Sequence, residues 1–400
     1  MKSSGLYDSW RVNVDLIPQE ITTDSNNSIY IVGYDISWDR SLTLLKYESS
    51  GKLLWSKHFE DFIIYSPKIR TDSNNNLYLV CSFRNKTSQS YSTRSTLVKF
   101  NSSGDLQWQQ IWEREEVNYI SDIAIDSENY INIYGTWESY DYSQVKIFIM
   151  RYNSSGTQLW YYFLDESITL AGGSCLEIDS DNNYIVSGRS YDNRSIYWLR
   201  LYNISGDLQW TINTQFESFG LLALDSSDDV ISLSLTWDNI TYESRLLLVK
   251  YSKSGNLIWD YEFQSKFTNL FHYPGIPVPM IYEYGLTIDS HDNIYITWEI
   301  EIPDNAYKTD VLMIKINKSG NYGDYLTWGG LENDNFMGID VDSNSNIFLL
   351  TLYYLIKNPV SNNKSLYRTM LLFFIIFLFG VCCVLSLISI YVILRRRRIP

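Results

Sequence analysis

A unit that recurs seven times constrains the fold of this chain more than any other feature of its sequence. Each unit contains an Asp-Ser pair that precedes an apolar run, and successive pairs lie 48, 54, 53, 46, 64 and 53 residues apart. The aspartates are Asp24, Asp72, Asp126, Asp179, Asp225, Asp289 and Asp342. A period near 50 residues predicts an array of similar units, each packed against its neighbours.

A second marker, a turn glycine followed by a tryptophan, also occurs seven times. The pairs are Gly5 with Trp10, Gly51 with Trp55, Gly104 with Trp108, Gly156 with Trp160, Gly206 with Trp210, Gly255 with Trp259, and a more widely spaced Gly320 with Trp328. Since one tryptophan per unit suits packing between units better than contact with a ligand, we interpret these side chains as structural.

Each unit is predicted to form four short strands. In the third unit the segments DIAID, INIYG, VKIFIMRY and TQLWYYF alternate apolar and polar residues or are rich in β-branched and aromatic residues, and turn residues separate them. Four-stranded units that cannot bury their faces alone are stacked radially in β-propellers. The predicted fold class is therefore all-β: a seven-bladed β-propeller with four-stranded blades over residues 1–360.

The two ends of the repeat region predict how the ring closes. The chain begins on a fourth strand, about residues 5–14, whereas the seventh unit lacks a fourth strand of its own. The N-terminal strand is therefore expected to complete the last blade, which removes exposed sheet edges. The third strand of that blade has only residues 354–358 available.

The Asp-Ser segments resemble the seven-bladed beta-propeller repeat family, and they are also similar to NHL-type propeller repeats. Ile125, Asp126 and Ser127 match the start of the family turn, and residues 287–295 match the turn and the Tyr-containing strand after it. Where the family has glycine in the turn, this chain has Asn, Asp or Ser. The resemblance covers about residues 1–358 and implies an extracytoplasmic propeller; most members of the family have no assigned activity.

Residues 47–55 (YESSGKLLW) resemble a second pattern, the tryptophan docking motif of quinoprotein dehydrogenases. That resemblance reaches the structural motif alone. Because His58, His272 and His291 are the only histidines, no quinone or metal site is predicted. The Asx-rich turns leave calcium open as an alternative cofactor, although the acidic residue that a calcium loop needs at its late position is missing.

The C-terminal region is predicted to anchor the chain in a membrane. Residues 371–394 form a run of 24 residues without a charge, enough to span a bilayer as a helix. A stalk (361–370) precedes this run, and a basic tail (395–400) with four arginines follows it. The positive-inside rule then favours a cytoplasmic C-terminus and an outward-facing propeller in the plasma membrane, with a cytosolic tail-anchored protein as the alternative.

An outward-facing domain would expose its N-x-S/T sequons to glycosylation, although a repeated turn supplies four of them. The nine sequons are Asn26, Asn85, Asn101, Asn153, Asn193, Asn203, Asn239, Asn317 and Asn363. A formal net charge of −14 argues against a nucleic acid partner. Cys81 and Cys175 fall in non-adjacent units, so no disulfide is expected between them.

The loops between second and third strands repeatedly pair an aromatic residue with an acid. The predicted ligand-binding residues are Trp38, Asp39, Trp137, Glu138, Tyr191, Asp192, Trp237, Asp238, Trp298 and Glu299. Aromatic faces stack on sugars while carboxylates accept hydroxyl hydrogen bonds; packing at strand ends is the alternative explanation. No catalytic motif is found, so we expect a non-catalytic scaffold that recognises an extracellular protein or glycan. The alternatives are a propeller enzyme of the quinoprotein, hydrolase or lyase type, or a structural surface-layer component.

Overall fold

A computed structural model shows seven antiparallel four-stranded sheets arranged as the blades of a propeller. It describes residues 9–36, 41–86, 94–112, 119–139, 144–164, 171–192, 194–214, 220–237, 244–263, 284–301, 309–329 and 334–358. In each blade the first strand is innermost and the fourth is outermost, so the predicted fold class is confirmed.

The first four blades follow the chain order without interruption. Blade 1 contains β2 (Ile17–Thr23), β3 (Ile29–Tyr34), β4 (Leu42–Tyr47) and β5 (Leu53–Phe59). Blade 2 contains β6 (Phe62–Thr71), β7 (Leu77–Asn85), β8 (Arg94–Phe100) and β9 (Leu106–Trp112). Blade 3 contains β10 (Tyr119–Ile125), β11 (Ile131–Glu138), β12 (Val145–Tyr152) and β13 (Gln158–Leu164). Blade 4 contains β14 (Ala171–Ile178), β15 (Tyr184–Asp192), β16 (Arg194–Tyr202) and β17 (Leu208–Thr214).

The last blade combines strands from both ends of the propeller. Blade 5 contains β18 (Leu221–Leu224), β19 (Val230–Trp237), β20 (Ser244–Tyr251) and β21 (Leu257–Phe263). Blade 6 contains β22 (Tyr284–Ile288), β23 (Ile294–Glu301), β24 (Thr309–Ile316) and β25 (Tyr322–Trp328). Blade 7 contains β26 (Phe336–Val341), β27 (Ile347–Thr351), β28 (Tyr354–Lys357) and the N-terminal β1 (Trp10–Asn13). The pairing of β1 with β28 confirms the predicted closure.

The seven Asp-Ser turns between first and second strands share one hydrogen-bond pattern. Each aspartate is at most 9% exposed, and its Oδ1 accepts the backbone N–H groups two and four residues later at 2.8–3.1 Å. The residue three positions after the aspartate has φ between 59° and 63°. Six of these seven residues are Asn or Asp, which tolerate the left-handed conformation better than most residues; the seventh is Ser345.

The same left-handed residue also links neighbouring blades. Ser25 of blade 1 donates its N–H and its hydroxyl to Oδ1 of Asn75 in blade 2, at 3.0 and 2.8 Å. Equivalent hydrogen bonds join Ser73 to Asn129, Ser127 to Asn182, Ser180 to Asp228, Ser226 to Asp292, Ser290 to Ser345, and Ser343 to Asn27. The seven links form a closed ring, so the Ser of the repeat has a function between blades.

The repeated tryptophans pack between blades as predicted at most positions. The Trp10 ring lies against Gly51 of the next blade, and its indole N–H donates to the Ser49 carbonyl at 3.0 Å. Trp55, Trp108, Trp210 and Trp259 contact the glycines of the following Ser-Gly turns in the same way. Because these glycines have φ between 81° and 85° and lie against a ring, a larger side chain does not fit there.

Two of the seven tryptophans depart from this arrangement. Trp160 stacks on Tyr162 with 4.3 Å between ring centroids, and Tyr162 provides the contact with Gly206. Trp328 lies eight residues after its turn glycine and is buried against Tyr354 of blade 7. Trp328 therefore packs in the core between blades 6 and 7, in the position that Trp112 occupies in blade 2.

The apolar core lies between adjacent blades, where the second and third strands are almost completely buried. Cys81 and Cys175 are buried free thiols in blades 2 and 4. Within the described residues, no helix is long and apolar enough to span a membrane. The predicted stalk (361–370), membrane span (371–394) and basic tail (395–400) lie outside those residues.

Candidate functional site: the central channel and the rims

The central channel is lined by the first strands of all seven blades, because each of them contacts the first strands of both neighbours. Its volume is about 640 Å³. Residues two positions before the turn aspartates line it: Thr22, Arg70, Glu177, Ala223, Thr287 and Asp340. Residues four positions before them also do so: Glu20, Lys68, Asp122, Cys175, Leu221, Gly285 and Gly338. This set was not predicted from the sequence, although counting back from each Asp-Ser pair identifies it.

The charged groups of the channel are concentrated on one side. Glu20, Lys68, Arg70, Asp122 and Glu177 belong to blades 1 to 4, whereas blades 5 and 6 contribute small or apolar residues at the corresponding positions. Among the channel residues of blade 7, Asp340 carries a charged group. The lumen is therefore polar on one wall and largely apolar on the other.

Arg70 is the centre of a hydrogen-bonded network that spans three blades. Its Nη1 donates to Oε1 of Glu20 at 2.6 Å, and its Nη2 donates to Oδ1 of Asp122 at 3.3 Å. The second oxygen of Glu20 accepts the backbone N–H of Ile69. Arg70 and Glu20 thus hold the first strands of blades 1, 2 and 3 together.

Asp122 extends the network to blade 4. Its Oδ2 accepts hydrogen bonds from the Leu176 N–H at 3.1 Å and from the Cys175 thiol at 3.3 Å. Burial, together with the charge of Asp122, raises the pKa of Cys175 well above its ordinary value. The thiol is therefore neutral at pH 7 and is a hydrogen-bond donor rather than a thiolate nucleophile.

Two other carboxyls in the channel have raised pKa values. Burial raises the pKa of Glu177 to about 7, with Arg70 opposing and Asp122 adding to the shift. Burial likewise raises the pKa of Asp340 to about 6, although hydrogen bonds from Val341 and Thr23 and the charge of Arg70 lower it. Both groups are half-buried in the lumen and hold protons that exchange near neutral pH.

Replacing Glu177 with glutamine is expected to stabilise the protein at alkaline pH. The carboxyl has a pKa of about 7 when folded and an ordinary value of 4.5, so the native state keeps a proton that the unfolded state releases. Stability of the parent protein therefore falls as pH rises from about 4.5 to 7. Urea unfolding at pH 8 should show a gain of about 1–2 kcal/mol, allowing for partial exposure.

The gain should vanish at pH 4.5, where glutamate and glutamine are both neutral in the folded protein. Glu262→Gln, at an exposed position on the outer strand of blade 5, should stay within about 0.5 kcal/mol of the parent at both pH values. Equal effects of Glu177→Gln at the two pH values would contradict a raised pKa for Glu177.

The predicted rim residues of blades 3, 4 and 5 lie where second strands end. Trp137 and Glu138 are half-buried at the end of β11, and the Trp137 ring packs edge-on against Phe163 at 5.8 Å. The backbones of Tyr191 and Trp237 pair with Ser195 and Ser244 at the corresponding ends of β15 and β19. Next to Tyr191, the backbone of Asp192 pairs with the backbone of Arg194. Trp38, Asp39 and Asp238 lie outside the described residues.

Trp298 and Glu299 occupy different surroundings from the other pairs. Trp298 is 1% exposed and packs against Phe263 between blades 5 and 6. Glu299 accepts the Phe336 N–H of blade 7 at 2.8 Å, and burial raises its pKa. Trp298 lies nine residues after Asp289, whereas Trp137 lies eleven after Asp126. That difference places the Trp298 ring within the core, where it is not accessible to a ligand.

The sequons of the repeated turn have a structural explanation. Asn101, Asn153, Asn203 and Asn317 each accept the N–H groups two and four residues later, which caps the Ser-Gly turn. Asn26 is exposed in an Asp-Ser turn, and Asn85 ends β7. Asn193, Asn239 and Asn363 lie outside the described residues.

The turn aspartates have their oxygens engaged by protein donors. Oδ1 of Asp289 accepts two backbone N–H groups, while its Oδ2 accepts the Tyr295 hydroxyl at 3.0 Å. Over the part of the chain that the structure describes, no group of three or more His, Cys, Asp or Glu side chains is placed to hold a metal ion. These hydrogen bonds account for the Asx pattern of the turns.

The closed ring and its channel define the chain as a seven-bladed β-propeller. A scan of protein-family models finds no match, and neither does a search of curated proteins.

Solved propellers are similar in structure. Streptogramin B lyase has a TM-score of 0.53 at 11% identity, covering 87% of this chain and 97% of its own. A polysaccharide lyase, an ulvan lyase, has a TM-score of 0.51 at 8% identity with the same coverages. The WD40 propeller of Doa1 has a TM-score of 0.50 at 12% identity, covering 88% and 94%. At these identities the similarity shows the fold alone.

Proposed function

We propose that this chain is a non-catalytic recognition scaffold that is held at the cell surface by residues 371–394 and binds a protein or glycan through one rim of its ring. The basic tail 395–400 would lie in the cytoplasm. The observation that carries the proposal is the placement of the aromatic and acidic residues relative to the point where the chain leaves the propeller.

The strand order gives the ring two different rims. The turn rim contains the Asp-Ser and Ser-Gly turns, and the loop rim contains the connections between second and third strands. The last described strand, β28, ends on the turn rim, where Asn358 donates to the Ile347 carbonyl at 2.7 Å and to the Asn346 side chain at 3.0 Å. The described part of the chain therefore ends at the turn rim.

An anchor that starts from the turn rim would direct the loop rim away from the membrane. The strand ends on the loop rim contain Trp137, Glu138, Tyr191, Asp192 and Trp237. Binding residues commonly lie on loops that a rigid scaffold positions. Aromatic rings and carboxylates supply the stacking and hydrogen bonding by which sugars and peptides are recognised.

The test is binding of a panel of neutral and uronic-acid oligosaccharides to the full chain in proteoliposomes. Glu138→Gln and Tyr191→Ala, both on the loop rim, are expected to weaken a bound sugar by about tenfold or more. The matched control is Lys52→Ala, an exposed residue in the Ser-Gly turn of blade 1 on the opposite rim. A control that loses binding as strongly as the loop-rim variants would contradict the proposal.

A second candidate is a lyase-type enzyme that uses the channel. Glu177 and Asp340 have pKa values near neutrality and face a lumen that also contains Arg70, a set suited to proton transfer beside an anionic group. Two of the structurally similar propellers are lyases. Turnover of a uronic-acid polysaccharide that Glu177→Gln abolishes and Tyr191→Ala preserves would favour this candidate over the scaffold.

A further inference from the structure

A separate apolar cavity lies between blades 1 and 2, outside the channel. Its volume is about 410 Å³. Phenylalanine rings form much of its wall: Phe59, Phe62, Phe83 and Phe100. Leu42, Val98 and the buried thiol of Cys81 also line it. This lining favours the burial of an apolar group.

The interface between blades 2 and 3 has larger aromatic side chains at two equivalent positions. Between blades 2 and 3, Trp112 packs edge-on against Tyr152 at 5.8 Å and donates its indole N–H to the Tyr152 hydroxyl at 2.8 Å. Phe59 and Phe100 occupy the same repeat positions between blades 1 and 2, with 6.1 Å between their rings. The substitution of Phe for Trp and of Phe for Tyr removes one fused ring and one hydroxyl from this interface.

The size and the walls of the cavity fit a fused aromatic ring system. A cavity of about 150 Å³ is sufficient to bind benzene, so a cavity of 410 Å³ accommodates two fused rings. Phe62 and Phe83 stand edge to face with 5.3 Å between their centroids. Ring edges and faces of this kind favour an aromatic partner over an aliphatic one.

One cation lies in the cavity wall. The Lys57 ammonium is 5.9 Å from the centroid of the Trp55 ring. Among the described residues it makes no hydrogen bond or ion pair. His58 also lies at the wall, and its Nδ1 is hydrogen-bonded to the Thr43 hydroxyl at 2.9 Å. Lys57 is therefore available to an anionic group attached to the bound ring.

We propose that this cavity binds an aromatic organic acid, with the fused ring between blades 1 and 2 and the carboxylate at Lys57. The ligand replaces the aromatic volume that Trp112 supplies at the neighbouring interface. This site is independent of the loop rim and of the channel, and its failure leaves the proposed function unaffected.

The test uses the full chain in lipid nanodiscs, titrated with 2-naphthoate and with its neutral analogue 2-naphthalenemethanol. The parent protein is expected to bind the acid more tightly than the alcohol. Phe59→Trp fills the space and should weaken both ligands by about tenfold or more. An unchanged affinity in Phe59→Trp, or no binding of either ligand to the parent protein, would overturn the proposal.

A second variant tests the anionic contact without changing the core. Lys57 is half-exposed. The variant Lys57→Met is expected to lose the preference for 2-naphthoate and to keep its affinity for 2-naphthalenemethanol. Lys52→Met, an exposed lysine of the same blade outside the cavity, should keep the preference of the parent protein. If Lys57→Met keeps that preference as well, the carboxylate does not lie at Lys57 and the assignment of an acid is wrong.

Discussion

Replacing Arg70 with leucine is expected to reduce the free energy of unfolding at pH 7 by about 3–5 kcal/mol. Arg70 is the cation between Glu20 and Asp122, at 2.6 and 3.3 Å from their carboxylate oxygens. Both acids are poorly exposed to solvent. Without the guanidinium, two poorly exposed negative charges from blades 1 and 3 remain on either side of blade 2 with little compensation. Urea unfolding at pH 7 measures this loss in the free energy of unfolding.

Two further variants separate charge from packing. Lys68→Met removes a cation 3.8 Å from Glu20 that is about one-third exposed, and it should lose about 1 kcal/mol or less. The double variant Arg70→Leu/Glu20→Gln should recover part of the loss, because it removes one of the two uncompensated charges. A loss in Arg70→Leu no larger than that in Lys68→Met would show that Arg70 does not hold the first strands together.

Local turn chemistry is the reason that the fold could be predicted from the sequence. The Asp-Ser pair caps its own turn through hydrogen bonds within four residues, so the marker and the structure that it specifies lie in the same stretch of chain. The seven markers then predicted the number of blades, and the missing fourth strand predicted the closure by β1.

Contacts between blades were less accessible to sequence reasoning. The hydrogen bond from Ser25 to Asn75 joins residues 50 positions apart, and neither residue is unusual within its own turn. The channel likewise combines Arg70, Asp122 and Glu177 from three blades, and their proximity follows from ring geometry rather than from a local motif. An alignment of the repeats on the turn aspartate would have indicated the channel positions, but not the pairing of their charges.

Depth within a strand explains why one aromatic–acid pair differs from the others. Trp298 pairs with Leu312, three residues inside β24, whereas Trp237 pairs with Ser244, the first residue of β20. Sequence adjacency of an aromatic residue and an acid does not record this depth. Counting from the turn aspartate does so, and it separates a residue in the core from residues at the strand ends.

Replacing Asp289 with alanine is expected to reduce the free energy of unfolding by about 3 kcal/mol at pH 7. The carboxylate accepts two backbone N–H groups at 2.9 Å, the Asn293 side chain at 2.8 Å and the Tyr295 hydroxyl at 3.0 Å. Alanine leaves the two turn N–H groups without their acceptor. The hydroxyl of Tyr295, a residue that is almost fully buried, also loses its hydrogen bond to Asp289. Asp289→Asn, which keeps one acceptor oxygen, should lose about 1 kcal/mol.

The pH dependence of the Asp289→Ala effect tests whether the charged form is the one that the turn stabilises. Burial acts to raise the pKa of Asp289, but hydrogen bonds from Asn293, His291 and Tyr295 outweigh it, and the pKa lies below its ordinary value of 3.8. A lowered folded-state pKa gives stability that is present above the unfolded value and is lost as pH falls through the folded one. The difference between parent and variant should therefore be constant from pH 7 to about 5 and shrink below about 3.8. The control Asp105→Ala removes an exposed carboxylate from a Ser-Gly turn and should change the free energy of unfolding by about 0.5 kcal/mol or less throughout this pH range. An equal loss in Asp289→Ala and Asp105→Ala would show that burial of the turn aspartate contributes nothing to stability.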